Sequence, residues 1–241
     1  MDLGIAGRVA LVSAASKGLG RASALALAEA GARVAICARG EAALRAAEEK
    51  LAAHTEVLAI PADVTRADIP AALVARTVDH FGALDILVAN AGGPPPGGAL
   101  DQDDDAIVAA LNANLLTSVR LVRAAIPHMR RQGWGRVCLI TSSTIKEPSA
   151  TLALSNTART GLWAWAKTAA GEVSADGITI NTACPGVHAT DRMKQLGLGP
   201  DVAAGDPRRF GQVVAFLCSE PAAFVNGVAL LVDGGRFAGL F

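Results

Sequence analysis

Two basic side chains and a run of small residues carry the first chemistry in this sequence. Ser13-Ala14-Ala15-Ser16-Lys17-Gly18-Leu19-Gly20 follows an unbroken apolar run, Val9 to Val12, and leads into an alanine- and leucine-rich stretch ending at Ala28. The apolar run reads as a parallel strand buried on both faces. A tight small-residue turn that feeds a helix start gathers several backbone N–H groups around one point, with the positive end of the helix dipole behind them. That point suits a pyrophosphate, and Ser13, Ser16, Lys17, Gly18, Leu19 and Gly20 are its candidate contacts. Arg39 ends a second apolar run, Arg33 to Ala38. An acid there would hold a ribose 2′-hydroxyl and repel a 2′-phosphate. Arg39, with Lys17 in reach of the same region, points to NADP(H), with NAD(H) possible.

The elements that must position these groups alternate along the chain. Strands are expected at Val57–Pro61, Leu84–Ala89, Arg136–Thr141 and Gly177–Ala183, with a last one before Asp233-Gly234-Gly235. Helices are expected at Glu41–Ala53 and Ile69–Phe81, and over a long region from Asp101 to Arg131. Alternation of this kind predicts an α/β fold: one parallel doubly wound sheet of about seven strands flanked by helices, with a ligand outside its carboxyl edge. Two segments at that edge, residues 93–104 with the run Pro94-Pro95-Pro96-Gly97-Gly98 and residues 187–205, are expected to form the substrate loops. Arg192 to Gly205 reads as a mobile lid.

The 241 residues suit a single domain spanning the chain. Basic and acidic residues number 22 each with no run of like charge, so neither nucleic acid nor a membrane surface is the expected partner. No apolar stretch approaches 18 residues, and the start shows no basic n-region or cleavage site, so a cytoplasmic location is expected. Cys37, Cys138, Cys184 and Cys218 are scattered through apolar runs without a C-x-x-C or a His cluster, which reads as buried reduced thiols and no metal site.

In order and separation these motifs resemble those of the short-chain dehydrogenases/reductases, and the resemblance spans nearly the whole chain, its 3-oxoacyl-carrier-protein reductase-like branch in particular. It implies a Rossmann-type domain. Ala14 stands where the family's first loop glycine would be, a place Ala can fill if φ stays negative. Asp63-Val64 matches the segment along the adenine, with Asp63 accepting from its amine. Asn90-Ala91-Gly92-Gly93 matches the segment where small residues let the backbone approach the cofactor and Asn90 ties neighbouring strands. Asn114 falls on the helix that carries the family's catalytic Asn. Pro185, Gly186, Val187 and Thr190 match the segment that packs on the nicotinamide and holds its carboxamide. The resemblance also implies a homodimer or homotetramer, formed through the helices of Asn114 and Arg159 and the last strand. Trp163, Trp165 and the tail from Phe237 serve either that interface or the core.

At the catalytic positions the chain departs from the pattern. Ser142 stands at the family serine, but Ser155 replaces the tyrosine thirteen residues on and Arg159 replaces the lysine four further; the chain contains no tyrosine at all. A phenol has a pKa near 10, whereas an aliphatic alcohol is roughly six units weaker, about 8 kcal/mol. An arginine, with pKa above about 12, holds a charge but does not shuttle protons. General acid–base help contributes about 10² to 10⁴-fold, so its loss slows hydride transfer without forbidding it. The expected function is therefore NADP(H)-dependent hydride transfer to or from a small carbonyl or alcohol compound. Ser142 and Ser155 would be oxyanion donors and Arg159 a fixed charge anchoring a ribose hydroxyl or polarising an oxygen. The proton would come through water, Lys146 or His188. The alternatives are a nucleotide-binding sensor or subunit that has lost its chemistry, and a non-redox enzyme on the same fold.

Overall fold

A computed structural model describes residues 2–240. Seven strands form one sheet, parallel throughout: β1 (Val9–Val12), β2 (Arg33–Ala38), β3 (Val57–Pro61), β4 (Ile86–Ala89), β5 (Gly135–Ile140), β6 (Ile178–Pro185) and β7 (Ala229–Val232). Their spatial order is β3-β2-β1-β4-β5-β6-β7. The order reverses between β1 and β4, so the connections leaving those two strands diverge to opposite faces and open a crevice at the carboxyl edge.

Strand alternation supplies two cores. Val9 and Leu11 of β1 point into one, shared with α3 (Ile69–Phe81), α5 (Thr117–Gln132) and α6 (Ala153–Val173). Ala10 and Val12 point into the other, shared with α1 (Gly18–Glu29), α2 (Glu41–Ala52) and α8 (Pro207–Leu217). Both faces of β1, β4 and β5 are buried, which explains their continuous apolar sequences.

The long helical region expected from Asp101 to Arg131 runs without interruption from Asp104 to Gln132, with its middle turn widened. A 3₁₀ turn at Ala99–Asp101 precedes α4 (Asp104–Leu111), capped by Asp103, whose carboxylate accepts from the Ala106 amide at 2.8 Å. A π-turn over Asn112–Leu116 then leads into α5. By length and composition the helical stretch Asp104–Gln132 could cross a membrane, but here its α5 part packs against the sheet with Leu121, Val122, Ala125 and Met129 buried. The lid also departs from the expected loop: α7 (Asp191–Gln195) opens it, and the Val187–Gly205 and Gly205–Ala189 hydrogen bonds, both 2.9 Å, close its base.

Candidate active site

At the β1–α1 turn, Lys17 caps α1 without a side-chain hydrogen bond, and no acid lies in the first turn. The amides of Gly18 and Leu19 meet no acceptor among the described residues, so the helix presents free donors to the crevice. Ala14 contradicts the expectation of negative φ: it sits at φ 48°, the one non-glycine left-handed residue among those described. Its surroundings override the local preference. Asn90 Nδ2 donates to its carbonyl at 3.2 Å, and the next amide, of Ala15, donates to Cys37 O at 3.0 Å. Gly20 permits this packing, since a Cβ there would stand 2.5 Å from Ala14 O and 2.6 Å from Asn90 Nδ2.

Two residues expected to meet the cofactor face elsewhere. Ser13 is fully buried; its Oγ donates to Asn90 O at 2.7 Å and accepts from Asn90 N at 2.8 Å, stitching the ends of β1 and β4. Gly20 packs behind the turn. The others line the crevice. Ser16, Lys17, Arg39, Asp63, Val64, Ala91 and Gly92 border a cavity of about 590 Å³. Asp63 Oδ1 accepts from the amide and hydroxyl of Thr65 at 3.0 and 2.8 Å; these bonds hold its carboxyl below the usual range, with Arg39 and Arg66 adding to the effect. Arg39 is exposed and forms no ion pair among the described residues. Free helix amides, two bases and an open space beside Gly92 fit a dinucleotide with its phosphates on the α1 turn.

Asn90, Gly18, Leu19, Pro185, Gly186, Val187 and Thr190 line a second cavity of about 450 Å³, together with Ser142, Ser155 and Arg159. Ser142 Oγ accepts from both the amide and the hydroxyl of Thr144, at 3.2 and 3.0 Å. With its lone pairs engaged, its own O–H is the group left to give away. The Ser155 hydroxyl, on α6, has no protein partner among the described residues and borders the same space. Arg159, one helical turn on, is buried. Its Nη1 donates to Ile140 O at 2.9 Å and its Nη2 to Asn114 Oδ1 at 3.0 Å. Burial, reinforced by the charge of Arg192, brings its pKa down to about 10, so it remains a cation at neutral pH. Asn114 receives it from the π-turn, where the helix is widened and the Asn112 carbonyl accepts from Thr117 N, five residues on. Asn114 Nδ2 reaches the Ala110 carbonyl at 3.5 Å. An interior Asn thus trades regular helix bonding for a fixed acceptor.

The two side chains offered as proton sources are placed differently. Lys146 lies outside the cavity lining, with its Nζ 4.7 Å from the centre of the Trp163 ring. His188 borders the cavity, but its Nδ1–H donates to Gly186 O at 3.1 Å and its ring packs edge-on to Phe210. Sequence reasoning missed Thr144 and Arg192. Thr144 continues the Ser142-Ser143 run, a polar cluster at a strand end that could have been read as a hydrogen-bonded turn. Arg192, from α7, donates to Pro94 O at 2.7 Å and Gly93 O at 3.5 Å, joining the lid to the proline-rich loop.

Residues 8–200 match the family model for short chain dehydrogenases. The chain belongs to the short-chain dehydrogenase family. This dehydrogenase is 32% identical over 244 residues to the 3-oxoacyl-[acyl-carrier-protein] reductase FabG of Vibrio cholerae, covering 98% of this chain and 99% of that protein. It is 35% identical over 250 residues to cis-4-hydroxycyclohexanecarboxylate dehydrogenase of Sinomonas cyclohexanicum, covering 99% and 100%. L-sorbose reductase from Gluconobacter frateurii, solved with NADPH and L-sorbose, superposes with a TM-score of 0.92 at 29% identity over the full length of both chains. The short-chain dehydrogenase is thus a nicotinamide-dependent oxidoreductase of CH–OH and C=O groups, of the FabG-like branch.

Proposed function

We propose that this dehydrogenase moves a hydride between NADP(H) and a small carbonyl or alcohol substrate at an altered Ser142-Ser155-Arg159 centre. When bound, the nicotinamide supplies or receives the hydride. Ser142 and Ser155 donate to the substrate oxygen, and Arg159 holds a positive charge one turn behind Ser155. The observation that carries this reading is the state of Ser142: two hydrogen bonds from Thr144 fill its acceptor capacity and leave its proton as the one outgoing donor. Arg39 and Lys17, both lining the dinucleotide cavity, support NADP(H) over NAD(H). Arg159 acts by its charge; two of its five N–H donors, one on each Nη, are spent on Ile140 O and Asn114 Oδ1. With no phenol in the chain, the proton at the substrate oxygen comes from solvent. Self-association through the α4–α5 and α6 faces, near the exposed Val108 and Leu116, and a cytoplasmic setting complete the proposal.

Stopped-flow and steady-state oxidation of NADPH with activated ketones tests it. Ser142→Ala should lower kcat by about 10² to 10³-fold, as loss of one oxyanion donor does, with NADPH affinity unchanged. Tight NADPH binding with no oxidation across a broad ketone panel would replace this reading with that of a sensor or subunit. The absence of any tyrosine favours that second reading.

A further inference from the structure

The serine-lined cavity is unbalanced in charge. Lys17, Arg159 and Arg192 border it, against one carboxylate among the described residues, that of Asp191. That carboxylate lies 3.9 Å from Lys17, toward the phosphate end. His188 is the other titratable group facing the space, and its Nδ1 is taken by Gly186 O. At the serine end, two guanidinium groups therefore share about 450 Å³ with no acid between them. We propose that the substrate bears a carboxylate and that Arg192 receives it between the lid and the proline-rich loop.

This rests on the hydride-transfer reading for where the reacting carbon lies, and it names the class of compound that reading leaves open. Arg192 is suited to the role by what it now touches. Its acceptors are neutral: the carbonyls of Pro94 and Gly93 and the side-chain oxygen of Gln195, at 2.7, 3.5 and 3.3 Å. Its guanidinium lies flat over Gly93, where a Cβ would fall 2.7 Å from it. A carboxylate would exchange those neutral contacts for a charge-assisted, two-pronged pair at little cost in geometry. Arg159 cannot swing to compete, because it is buried and bonded to Ile140 O and Asn114 Oδ1, but its charge attracts the same anion. Arg159 is buried and Arg192 half-buried, and the charge of Arg192 disfavours the Arg159 cation, which supports an anion as the missing counter-charge.

Two measurements test this on the full-length protein. In calorimetry on the NADP⁺-loaded form, benzoate should bind and isosteric benzamide should bind at least about 30-fold more weakly. Arg192→Gln should abolish that difference and Arg192→Lys should keep part of it, while both retain the wild-type affinity for NADPH. In turnover, kcat/KM for oxo acids should exceed that for their methyl esters by a similar factor, again lost in Arg192→Gln. Equal binding of benzoate and benzamide overturns the inference. So does an Arg192→Gln protein that loses NADPH affinity but keeps benzoate, since Arg192 would then serve the cofactor. If neutral ketones and oxo acids are reduced equally well, the anion site falls and hydride transfer stands. If benzoate binds in an Arg192-dependent way and no ketone oxidises NADPH, the anion site stands and the redox reading falls.

Discussion

Replacing Ser155 by tyrosine should accelerate ketone reduction, because it puts a usable acid where the structure has only an alcohol. The Ser155 side chain, at 6% exposure, borders a cavity of about 450 Å³ and lies one turn before a cation with no carboxylate partner among the described residues. A phenol there starts about six pKa units more acidic than the serine hydroxyl, roughly 8 kcal/mol in proton-donating power. The Arg159 charge, retained until about pH 10, lowers the phenol further. A general acid realises only part of such a difference in the transition state, about 10² to 10⁴-fold, or roughly 2.7 to 5.4 kcal/mol off the barrier. The assay is single-turnover NADPH oxidation with an activated ketone, measured from pH 6 to 10 for wild type, Ser155→Tyr and Ser155→Phe. The tyrosine variant should be faster and should gain an alkaline limb as its phenol ionises. The phenylalanine variant has the bulk without the proton and should be slower than wild type. A tyrosine variant with wild-type melting temperature and NADPH affinity, but no faster than Ser155→Phe, would refute the view that a missing acid limits this centre.

Arg39→Asp should weaken NADPH binding by about 10 to 10²-fold and improve NADH binding, read by fluorescence titration, since the exposed Arg39 has no ion pair among the described residues to lose. Ala14→Gly should raise the melting temperature by about 1–3 °C in differential scanning calorimetry: relief of the left-handed alanine, about 1–2 kcal/mol, outweighs the extra backbone entropy of glycine, about 0.5–1 kcal/mol. Alkali should destabilise the fold through its thiols. Burial raises Cys37 to about 12 and Cys184 to about 11, and Cys138, beside Cys218, also rises. Groups whose folded pKa lies above the unfolded value give stability that is intact below about pH 9 and fades above it. Cys37 and Cys184 together should cost about 3 kcal/mol per pH unit between roughly 9 and 10.5, with Cys138 acting in the same direction. A melting temperature constant from pH 8 to 10.5 would contradict that burial.

The elements legible in the sequence are those that local pattern alone determines. Val57–Pro61 and Ile69–Phe81 fall where alternation and helical spacing put them, and β1 shows its double burial as an apolar run. Convergence of the strand ends then follows from the parallel order, which is why Ser142, Pro185 and Asn90 arrive at one cavity. What local pattern missed was decided by polar partners far along the chain. The widened turn at Asn112–Leu116 is flanked by long-range bonds, Asn112 Nδ2 donating to Thr65 O at 2.9 Å and Thr117 Oγ1 to Val64 O at 3.2 Å, which span 47 and 53 residues. Ser13 has the right residue type for a phosphate ligand, but it spends both hydrogen bonds on Asn90, 77 residues away, and that same asparagine holds Ala14 left-handed.

Arg192 belongs to the same class: its carbonyl partners lie 98 and 99 residues back, in a proline-rich loop whose composition says only that it is not helix or strand. Arg159 follows the rule as well. Its charge could be read from the sequence, but the direction of its guanidinium was set by Asn114 and Ile140, and that direction separates a cation that fixes the field from one that grips a ligand. Backbone geometry therefore decides which residues reach the cleft, while long-range hydrogen bonding decides which of them still have a valence to offer there. By that criterion the proposed donors are the hydroxyls of Ser142, just past the end of β5, and Ser155, on α6, and the cation whose contacts can be exchanged is Arg192, so the proposal puts selectivity for the substrate in the lid and the donors of the reaction on the sheet edge and α6.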